Sequence, residues 1–510
     1  MKQTSLAVLS ALSLLASTAL VARELDGTSA LVTSADPPEM WKLRNNAQLT
    51  VQGGRTLGIT AADSGVTLMN AMVARNSAFD LVSIELTGAS LLDAINSRIT
   101  DGGVLIRGAS EATFSGSHIV IDETAQGFAG LNTVGIAITM GNADVRLDGS
   151  SIEVVDNPDR EYFNSGVGIR QSDGRVQLAN GSRITAANIG SLLYGTRTLN
   201  RPLTLDIAAS DIFAGRGPAL QVAPGSWTNT YTIHVTDGAT LHGGDGNLLL
   251  VSNGAIDAPG SSNSLVSFVA RDVRLAGNIT QDESAAGTRL NVYLEDNAQL
   301  TGRMHGVHTL TIHDTGTWRM NGDSRLGHVT VFNEGQLILG DGSTFNTLTL
   351  DSFSSTEGTL VFNTRLDGDD STTDKLVING DATGQAQVRV NNVGGQGAQT
   401  VNGILLIEVG RESRAVFRLQ GRAIGGLYEY FLFKEANGNW YLRSQLDDGT
   451  HPEPDPCRDT PELCEITLPV EDDIILDPGT PGGGDEVTLP VLPDIIVDPP
   501  TPQPDRVLRP

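Results

Sequence analysis

Several segments of the sequence contain residue types that take part in catalysis or metal binding, and the first is a possible serine nucleophile. Ala62-Asp63-Ser64-Gly65 has the Asp-Ser-Gly order of a nucleophile loop, but alanine stands where such a loop carries a preceding glycine. A nucleophilic serine also needs a histidine base, and no histidine precedes this segment, since the first one is His118. The residues therefore favour a turn over a catalytic loop.

Two other segments have residue types that bind metals. His305, His308 and His313 lie close together in the sequence, but no His-Glu-x-x-His motif accompanies them, so we expect surface or turn positions. Gly243-Gly244-Asp245-Gly246 has the composition of one calcium-binding repeat turn. A single copy favours an ordinary turn, because such repeats bind calcium as arrays. The sequence predicts no metal and no other cofactor.

Carboxylates cluster once more towards the end of the chain. Asp367, Asp369 and Asp370 form an acidic loop, and Asp374 follows it. β-Helix enzymes that cleave pectin place clustered carboxylates with calcium and a basic residue across several coils. Here the acids occupy one glycine-containing loop without arginine or lysine facing them, so we expect a solvated loop.

The elements that would position these residues are short β-strands. From about residue 45 to 445, strings such as Val145-Arg146-Leu147 alternate apolar and polar residues, which is the period of a strand with one buried face. Turn pairs such as Asp148-Gly149 and Asn180-Gly181 precede serine and an aliphatic strand, because Asn-Gly and Asp-Gly accept positive φ. Imperfect repetition of strand and turn predicts a solenoid. A string of β-sandwiches is the alternative.

Composition limits the possible partners and the kind of core. The chain has 34 Lys and Arg against 60 Asp and Glu, a net charge of −26, so its surface repels nucleic acid and anionic membranes. Aromatic residues make up 5% and there are 58 glycines. These proportions favour a thin, aliphatic and repetitive core.

The N-terminus predicts export. Met1-Lys2 gives a basic start, and the apolar stretch Leu6 to Val21 contains small residues. This pattern indicates a secretory signal peptide over residues 1–22, with cleavage candidates at Ala19 and Ala22, and it implies the Sec export machinery as a partner. The stretch is too short for a membrane anchor.

Larger rings concentrate near the C-terminal end of the β-rich region, where they would cover the last open edge of a stack. We expect Val416-Phe417-Arg418-Leu419 and Trp440-Tyr441-Leu442 to form hairpin strands there. The aromatic residues predicted for the cap and folding nucleus are Trp318, Phe417, Tyr428, Tyr430, Phe431, Phe433, Trp440 and Tyr441.

The amino-acid composition changes after this cap. Residues 447–510 are rich in proline and acid and contain an imperfect repeat of Asp-Ile-Ile-(Leu/Val)-Asp-Pro. Dense proline blocks helix and sheet, so the segment is predicted to be a disordered, extended linker. The only two cysteines, Cys457 and Cys464, lie in it and are predicted to form a local disulfide, with two free thiols as the alternative.

Over residues 294–444 the sequence resembles the C-terminal passenger half of pertactin-type autotransporters of Gram-negative bacteria. The motifs stand in the order of the family. They are Asp296-Asn297-Ala298-Gln299-Leu300-Thr301-Gly302, Leu310-Thr311-Ile312, Thr317-Trp318-Arg319-Met320-Asn321, Ser324-Arg325-Leu326-Gly327-His328-Val329, Phe345-Asn346-Thr347-Leu348-Thr349-Leu350, Asp374-Lys375-Leu376-Val377-Ile378 and Asn437-Gly438-Asn439-Trp440-Tyr441-Leu442.

The resemblance implies an all-β chain folded as a right-handed, single-stranded parallel β-helix, with a C-terminal segment that nucleates folding outside the cell. It also implies passage through the periplasm to the cell surface or outer membrane, or secretion. The partners implied are a translocator β-barrel, which this sequence does not contain, and the outer-membrane assembly machinery. The Arg-Gly-Asp tripeptide of pertactin is absent; the nearest string is Arg216-Gly217-Pro218.

The sequence therefore predicts five segments. Residues 1–22 are the signal peptide, 23–44 a lead-in, 45–300 the β-helix passenger, 301–446 the pertactin-like autochaperone cap and 447–510 the linker. We expect a non-enzymatic, surface-exposed or secreted adhesin that contacts a host or bacterial surface receptor. The alternative is a β-helix enzyme that acts on polysaccharide.

Overall fold

The computed structural model describes residues 22–75, 82–122, 133–155, 165–255 and 262–446. These residues form strands and turns without any α-helix, and their helical turns are two 3-10 segments, Asn253–Ala255 and Glu283–Ala285. Strands of successive coils pair in parallel along most of the length. The predicted fold class, an all-β parallel β-helix, is confirmed.

Each coil contributes strands to three faces, in the order first, second and third along the chain. The first face contains Arg23–Asp26, Met40–Arg44, Gly58–Ala62, Val82–Thr87, Gly103–Arg107, Val134–Thr139, Val167–Gln171, Ile189–Tyr194, Leu220–Ala223, Asn247–Val251 and Asn278–Gln281. The second face contains Ser29–Thr33, Gln48–Gln52, Gly65–Met69, Leu91–Ile95, Glu111–Ser115, Asp144–Asp148, Arg175–Ala179, Leu203–Ala208, Thr230–Thr236, Leu265–Arg271 and Arg289–Glu295. The third face contains Arg55–Thr56, Met72–Ala74, Arg98–Thr100, His118–Asp122, Ser151–Val155, Arg183–Ala186, Asp211–Ala214, Thr240–Gly243, Arg274–Ala276, Gln299–Thr301, Thr317–Arg319 and Gln336–Ile338.

Longer strands replace this pattern towards the C-terminus and pair with more than one face. They are Met304–Ile312, Ser324–Phe332, Thr347–Thr364 and Ala382–Asn392. The parallel stack ends with Lys375–Ile378, Ile404–Val409 and Val416–Leu419, and three final strands follow at Ala423–Gly425, Tyr428–Lys434 and Trp440–Leu446.

The core consists of aliphatic columns along the axis of the helix. Because side chains alternate between the two sides of a strand, each strand directs every second residue inward. On the second face, one residue per coil stacks in register on the next. This buried column runs through Leu49, Val66, Leu92, Ala112, Val145, Val176, Leu205, Ile233, Phe268, Val292, Leu310, Val329 and Phe353.

The turn pairs seen in the sequence stack at the corner between the second and third faces. Asn70, Asn96 and Asn180 there have φ of 50°, 47° and 55°, which asparagine tolerates better than most residues. The serine that follows the turn is buried and bonds from coil to coil. The N–H of Ser117 donates to Oγ of Ser150 at 3.0 Å, and the N–H of Ser150 donates to Oγ of the next serine, Ser182, at 3.2 Å.

The helix begins earlier than the sequence indicates. Residues 23–44, predicted as a lead-in, contain strands of the stack: Arg23–Asp26 pairs with Met40–Arg44, and Ser29–Thr33 pairs with Gln48–Gln52, both in parallel. Trp41 is only 3% exposed and belongs to the main core. The two prolines at 37 and 38 interrupt the pattern in the sequence, but they lie in a loop between these strands.

Antiparallel strands close the C-terminal end. Trp440–Leu446 pairs with both Ile404–Val409 and Tyr428–Lys434 in antiparallel orientation. The prediction of a hairpin strand at Val416–Leu419 is wrong, because this strand pairs in parallel with Ala382–Asn392 and continues the stack. The predicted boundary between residues 300 and 301 does not coincide with a break in strand pairing, because Gln299–Thr301 pairs in register with Thr317–Arg319.

Candidate functional site

The possible nucleophile, Ser64, is part of the scaffold. Its side chain is buried, and its Oγ donates to the carbonyl oxygen of Ala62 at 2.8 Å. Its N–H donates to Oγ of Ser90 in the next coil at 3.2 Å, and the adjacent Asp63 accepts from the N–H of Ala89 at 2.9 Å. The segment therefore holds a turn, and these contacts orient Ser64 towards the backbone.

The three histidines do not converge on one point. His305 and His308 are exposed on Met304–Ile312, whereas His313 bonds Glu295 at 3.0 Å and Asp314 at 2.6 Å. The ring of His313 also stacks on Phe332 with 5.1 Å between centroids. No group of three potential metal ligands occurs among the described residues.

His313 has a pH-dependent role that can be measured. Partial burial lowers the pKa of His313, but hydrogen bonds to Asp314 and Glu295 and their charges outweigh it and raise the pKa above the ordinary 6.5. The folded state therefore binds this proton more tightly than the unfolded state. Its contribution to stability is fully present below pH 6.5 and is lost as pH rises through the raised pKa.

We expect NMR titration of the His313 imidazole to give a midpoint above the ordinary 6.5, and Glu295→Gln to lower that midpoint because it removes one acidic partner. Far-UV circular dichroism of both proteins controls for folding. A wild-type midpoint at or below the ordinary value, or a midpoint that Glu295→Gln leaves unchanged, would contradict the assignment.

The acidic loop ties neighbouring coils together. The carboxylate of Asp369 accepts from the N–H groups of Val401, Asn402 and Gly403 at 2.8–2.9 Å, and Asp367 accepts from the N–H of Gln396 at 2.8 Å. These bonds stabilise a loop of the following coil.

Asp374 does not belong to a solvated loop, and that part of the expectation is wrong. The residue is fully buried. Its carboxylate accepts from the N–H of Asn346 at 2.8 Å, and from the N–H and Nδ2 of Asn363 at 2.8 and 2.9 Å. Burial raises its pKa despite these hydrogen bonds. Three well-aligned donors explain how a carboxyl group can occupy the core.

The glycine-rich turn likewise satisfies its own polar groups. Asp245 accepts from the N–H of Asn247 at 2.8 Å and from its Nδ2 at 2.9 Å. Gly244 lies close to the carbonyl of Gly215 in the previous coil, so a Cβ would collide there. The segment is a tight turn between stacked coils.

The predicted cap aromatics divide into buried and partly buried residues. Phe417 packs between Phe353 and Trp440, with ring centroids 5.8 and 5.3 Å away. The hydroxyl of Tyr430 donates to the carbonyl of Asp367 at 2.8 Å. Trp318 is buried in the helix itself. Partly buried on the final strands are Tyr428, Phe431, Phe433 and Tyr441.

The sequence did not indicate a groove at the N-terminal end, which we call the N-terminal groove. It has a volume of about 590 Å³ and lies between the loop of residues 34–38 and the stacked turns that begin the third face. Arg55 and Arg98 line it together with Asn70 and Asn96. In the sequence, each of these arginines lies two positions after a turn asparagine or glycine. Only the register between successive coils shows that the two arginines lie near each other.

The outer side of the second face carries neutral polar side chains in two adjacent rows, which we call the polar rows. The first row is Ser267, Asn291, Thr309, His328 and Ser352. The second row is Tyr293, Thr311, Thr330 and Ser354. Thr330 bonds His328 at 2.9 Å and Ser354 at 3.0 Å, so the two rows are linked.

Comparison with known proteins identifies part of the chain. Residues 325–432 match the model of Autochaperone Domain Type 1. The adhesin BmaC autotransporter of Brucella suis is 42% identical over 128 residues, 22% of this chain and 4% of that protein. The pertactin autotransporter of Bordetella bronchiseptica is 32% identical over 164 residues, 31% of this chain and 17% of that protein.

A longer match is less similar. The BrkA autotransporter of Bordetella pertussis is 26% identical over 377 residues, which cover 70% of this chain and 35% of that protein. The chain thus spans about a third or less of the length of these relatives.

Some predicted features lie outside the described residues: Ala19, Cys457, Cys464 and the linker of residues 447–510. Ala22, the second cleavage candidate, is the first residue described. In the described part, no helix has the length and apolar character needed to cross a membrane.

The matched segment lies within the predicted cap, and it contains the buried Asp374, the acidic loop and the cap aromatics from Phe417 to Phe431. The similarity to autotransporters supports the predicted export to the cell surface or secretion. The C-terminal part of the chain matches an autochaperone domain, and the chain is similar to passengers of the pertactin-type autotransporter family.

Proposed function

We propose that this passenger is a non-enzymatic adhesin that contacts host cells, matrix or other bacteria through the outer side of its coils. The observation that carries the proposal is the pair of polar rows on the second face. Neutral hydroxyl, amide and imidazole groups repeat at the spacing of stacked strands, about 4.8 Å. Such a surface suits many weak contacts spread over a length of the molecule.

The side chains that could have served catalysis support a non-enzymatic role. Ser64 bonds the backbone, Asp374 is buried among amide donors, and Asp369 holds a loop. Each group therefore has a structural function. One relative is named an adhesin, which is consistent with the proposal.

The proposal also includes the route by which the passenger reaches the cell surface. The passenger would depend on the Sec export machinery, a C-terminal translocator and the outer-membrane assembly machinery, as its autotransporter relatives imply. Its binding partner would be a receptor on a host or bacterial surface.

The test displays the passenger on bacteria and counts attachment to epithelial cells and to matrix-coated surfaces. The double variant Thr311→Glu with Thr330→Glu adds charge to the polar rows, and we expect attachment to fall several-fold. Thr185→Glu, an outward threonine of the third face, is the control and should attach like wild type. Attachment that is unchanged after deletion of the whole passenger would contradict adhesion.

The non-enzymatic part has its own test. Purified passenger is incubated with pectic and host glycans, and the products are separated by size. We expect no product. Cleavage of any of these glycans would contradict this part of the proposal and would favour a polysaccharide-degrading enzyme.

A further inference from the structure

The N-terminal groove lies at the edge of the third face. Arg55–Thr56 is the first strand of that sheet and, among the described strands, pairs only with Met72–Ala74. The loop of residues 34–38 occupies the position next to this edge, and it leaves the groove between itself and the turns. The groove volume of about 590 Å³ falls within the range of small-molecule sites, about 300–1,000 Å³.

Two guanidinium groups line this groove at a fixed spacing. Arg55 and Arg98 both pair in register with Met72, on opposite sides, so they are two strand spacings apart. At about 4.8 Å per spacing, their backbones are roughly 9.6 Å from each other. Both arginines are exposed, and within the described chain neither guanidinium group forms an ion pair or a hydrogen bond.

Other arginines at the same end of the helix are differently placed. Arg44 bonds Glu24 at 2.9 Å and Asp26 at 3.1 Å, and Arg23 bonds Glu39 at 3.4 Å. These pairs neutralise their positive charges within the protein. The charges of Arg55 and Arg98 stay available to a ligand, and guanidinium recognises carboxylate with two parallel hydrogen bonds.

Neutral groups complete the groove. Asn70 and Asn96 hold exposed amides at the stacked turns, Ser34 adds a hydroxyl, and Met72 forms a short apolar floor between the arginines. Asp36 is the one acidic residue among the described residues that line the groove, and its Oδ2 accepts from the N–H and Oγ1 of Thr33 at 2.7 and 2.9 Å. The lining side chains thus carry two positive charges against one negative charge.

We propose that the N-terminal groove binds an acidic oligosaccharide, with Arg55 and Arg98 each holding one carboxylate of the sugar chain. Sugar hydroxyls match the amides of Asn70 and Asn96, and a sugar ring covers Met72. Two carboxylates on alternate residues of an extended uronic-acid chain match the spacing of the two arginines. The net charge of −26 disfavours long polyanions, so the ligand is a short segment or a chain end.

The inference deepens the proposed adhesin function and rests on it for its biological role. The binding step itself is measured without cells, so its failure is distinguishable from a failure of adhesion. A passenger that binds the sugar but does not attach to cells would contradict only the adhesin proposal. A passenger that attaches but does not bind the sugar would contradict only the groove proposal.

The experiment is isothermal titration calorimetry of the full chain with trigalacturonate. We expect saturable binding, and Arg55→Gln and Arg98→Gln should each weaken it about tenfold because each removes one charge-assisted contact. The trimethyl ester of the same sugar should bind at least about tenfold more weakly than the acid, since it lacks the carboxylates.

Arg274→Gln is the matched control, an exposed arginine that lies distant in sequence on a later strand of the same face and has no ion pair within the described chain. Circular dichroism of all variants verifies folding. Absence of binding, equal binding of the methyl ester, or equal loss in Arg274→Gln would overturn the proposal. So would full displacement of the sugar by inorganic sulfate at matched ionic strength, which would indicate a simple anion site.

Discussion

Trp318→Ala is expected to lower the free energy of unfolding of the C-terminal half by about 3–5 kcal/mol, the usual cost of replacing a fully buried tryptophan with alanine. Trp318 is 0% exposed and stacks in register between Leu300 and Leu337. Its Nε1 donates to the carbonyl of Gly302 at 3.0 Å. The substitution leaves a cavity that the tight stacking of neighbouring coils cannot close, and it removes the donor to a buried carbonyl.

Chemical denaturation followed by circular dichroism measures this effect, with residues of the autochaperone domain observed by hydrogen exchange. Trp227→Ala is the matched control, because Trp227 is 42% exposed on a loop and should cost less than about 1 kcal/mol. Similar losses in the two variants would show that burial in the stack is not what makes Trp318 important.

Asp374→Ala is expected to destabilise the autochaperone domain by about 2–4 kcal/mol, because it removes the acceptor of several buried donors. The substitution leaves the N–H groups of Asn346 and Asn363 without their acceptor, and a buried unpaired donor costs about 1–3 kcal/mol. Removal of a desolvated carboxylate offsets part of this loss. Urea denaturation measures the loss, and Asp370→Ala, an exposed residue of the neighbouring acidic loop, should be nearly neutral.

The pH dependence of this variant provides a second check. Burial raises the pKa of Asp374 above its ordinary value of 3.8, so the folded state holds this proton more tightly than the unfolded state. That contribution is fully present below pH 3.8 and is lost as pH rises through the raised pKa. The advantage of wild type over Asp374→Ala should therefore shrink as pH rises from 3.8 through the raised pKa. An advantage that grows over this range would contradict the buried assignment.

The fold was predictable because short local sequence patterns indicate a solenoid. Alternation in strings such as Val145-Arg146-Leu147 indicates one buried side, and Asn180 and Gly181 mark a corner that needs positive φ. Each coil of a solenoid packs only against its neighbouring coils, so a repeated pattern of strand and turn is enough to predict the fold. The first coil was missed because its strands are separated by two prolines, at positions 37 and 38, that disrupt the pattern without ending the stack.

The binding surfaces were less predictable, because they depend on register across coils. Arg55 and Arg98 are 43 positions apart in the sequence, and no local pattern indicates that both flank Met72. Asp374 was misassigned for a related reason. It follows the acidic loop, and its three donors come from Asn346 and Asn363, which precede it by 28 and 11 positions.

The two ends of the stack differ, and this difference gives the molecule a polarity. The last coils are closed by antiparallel strands and by the packing of Phe417 against Trp440. At the other end, Arg23–Asp26 and Ser29–Thr33 each pair with one neighbouring strand among the described residues. Local opening should begin at the singly paired end, where fewer hydrogen bonds must break. The autochaperone domain would then be the last part to unfold. Unfolded coils would refold onto it one after another.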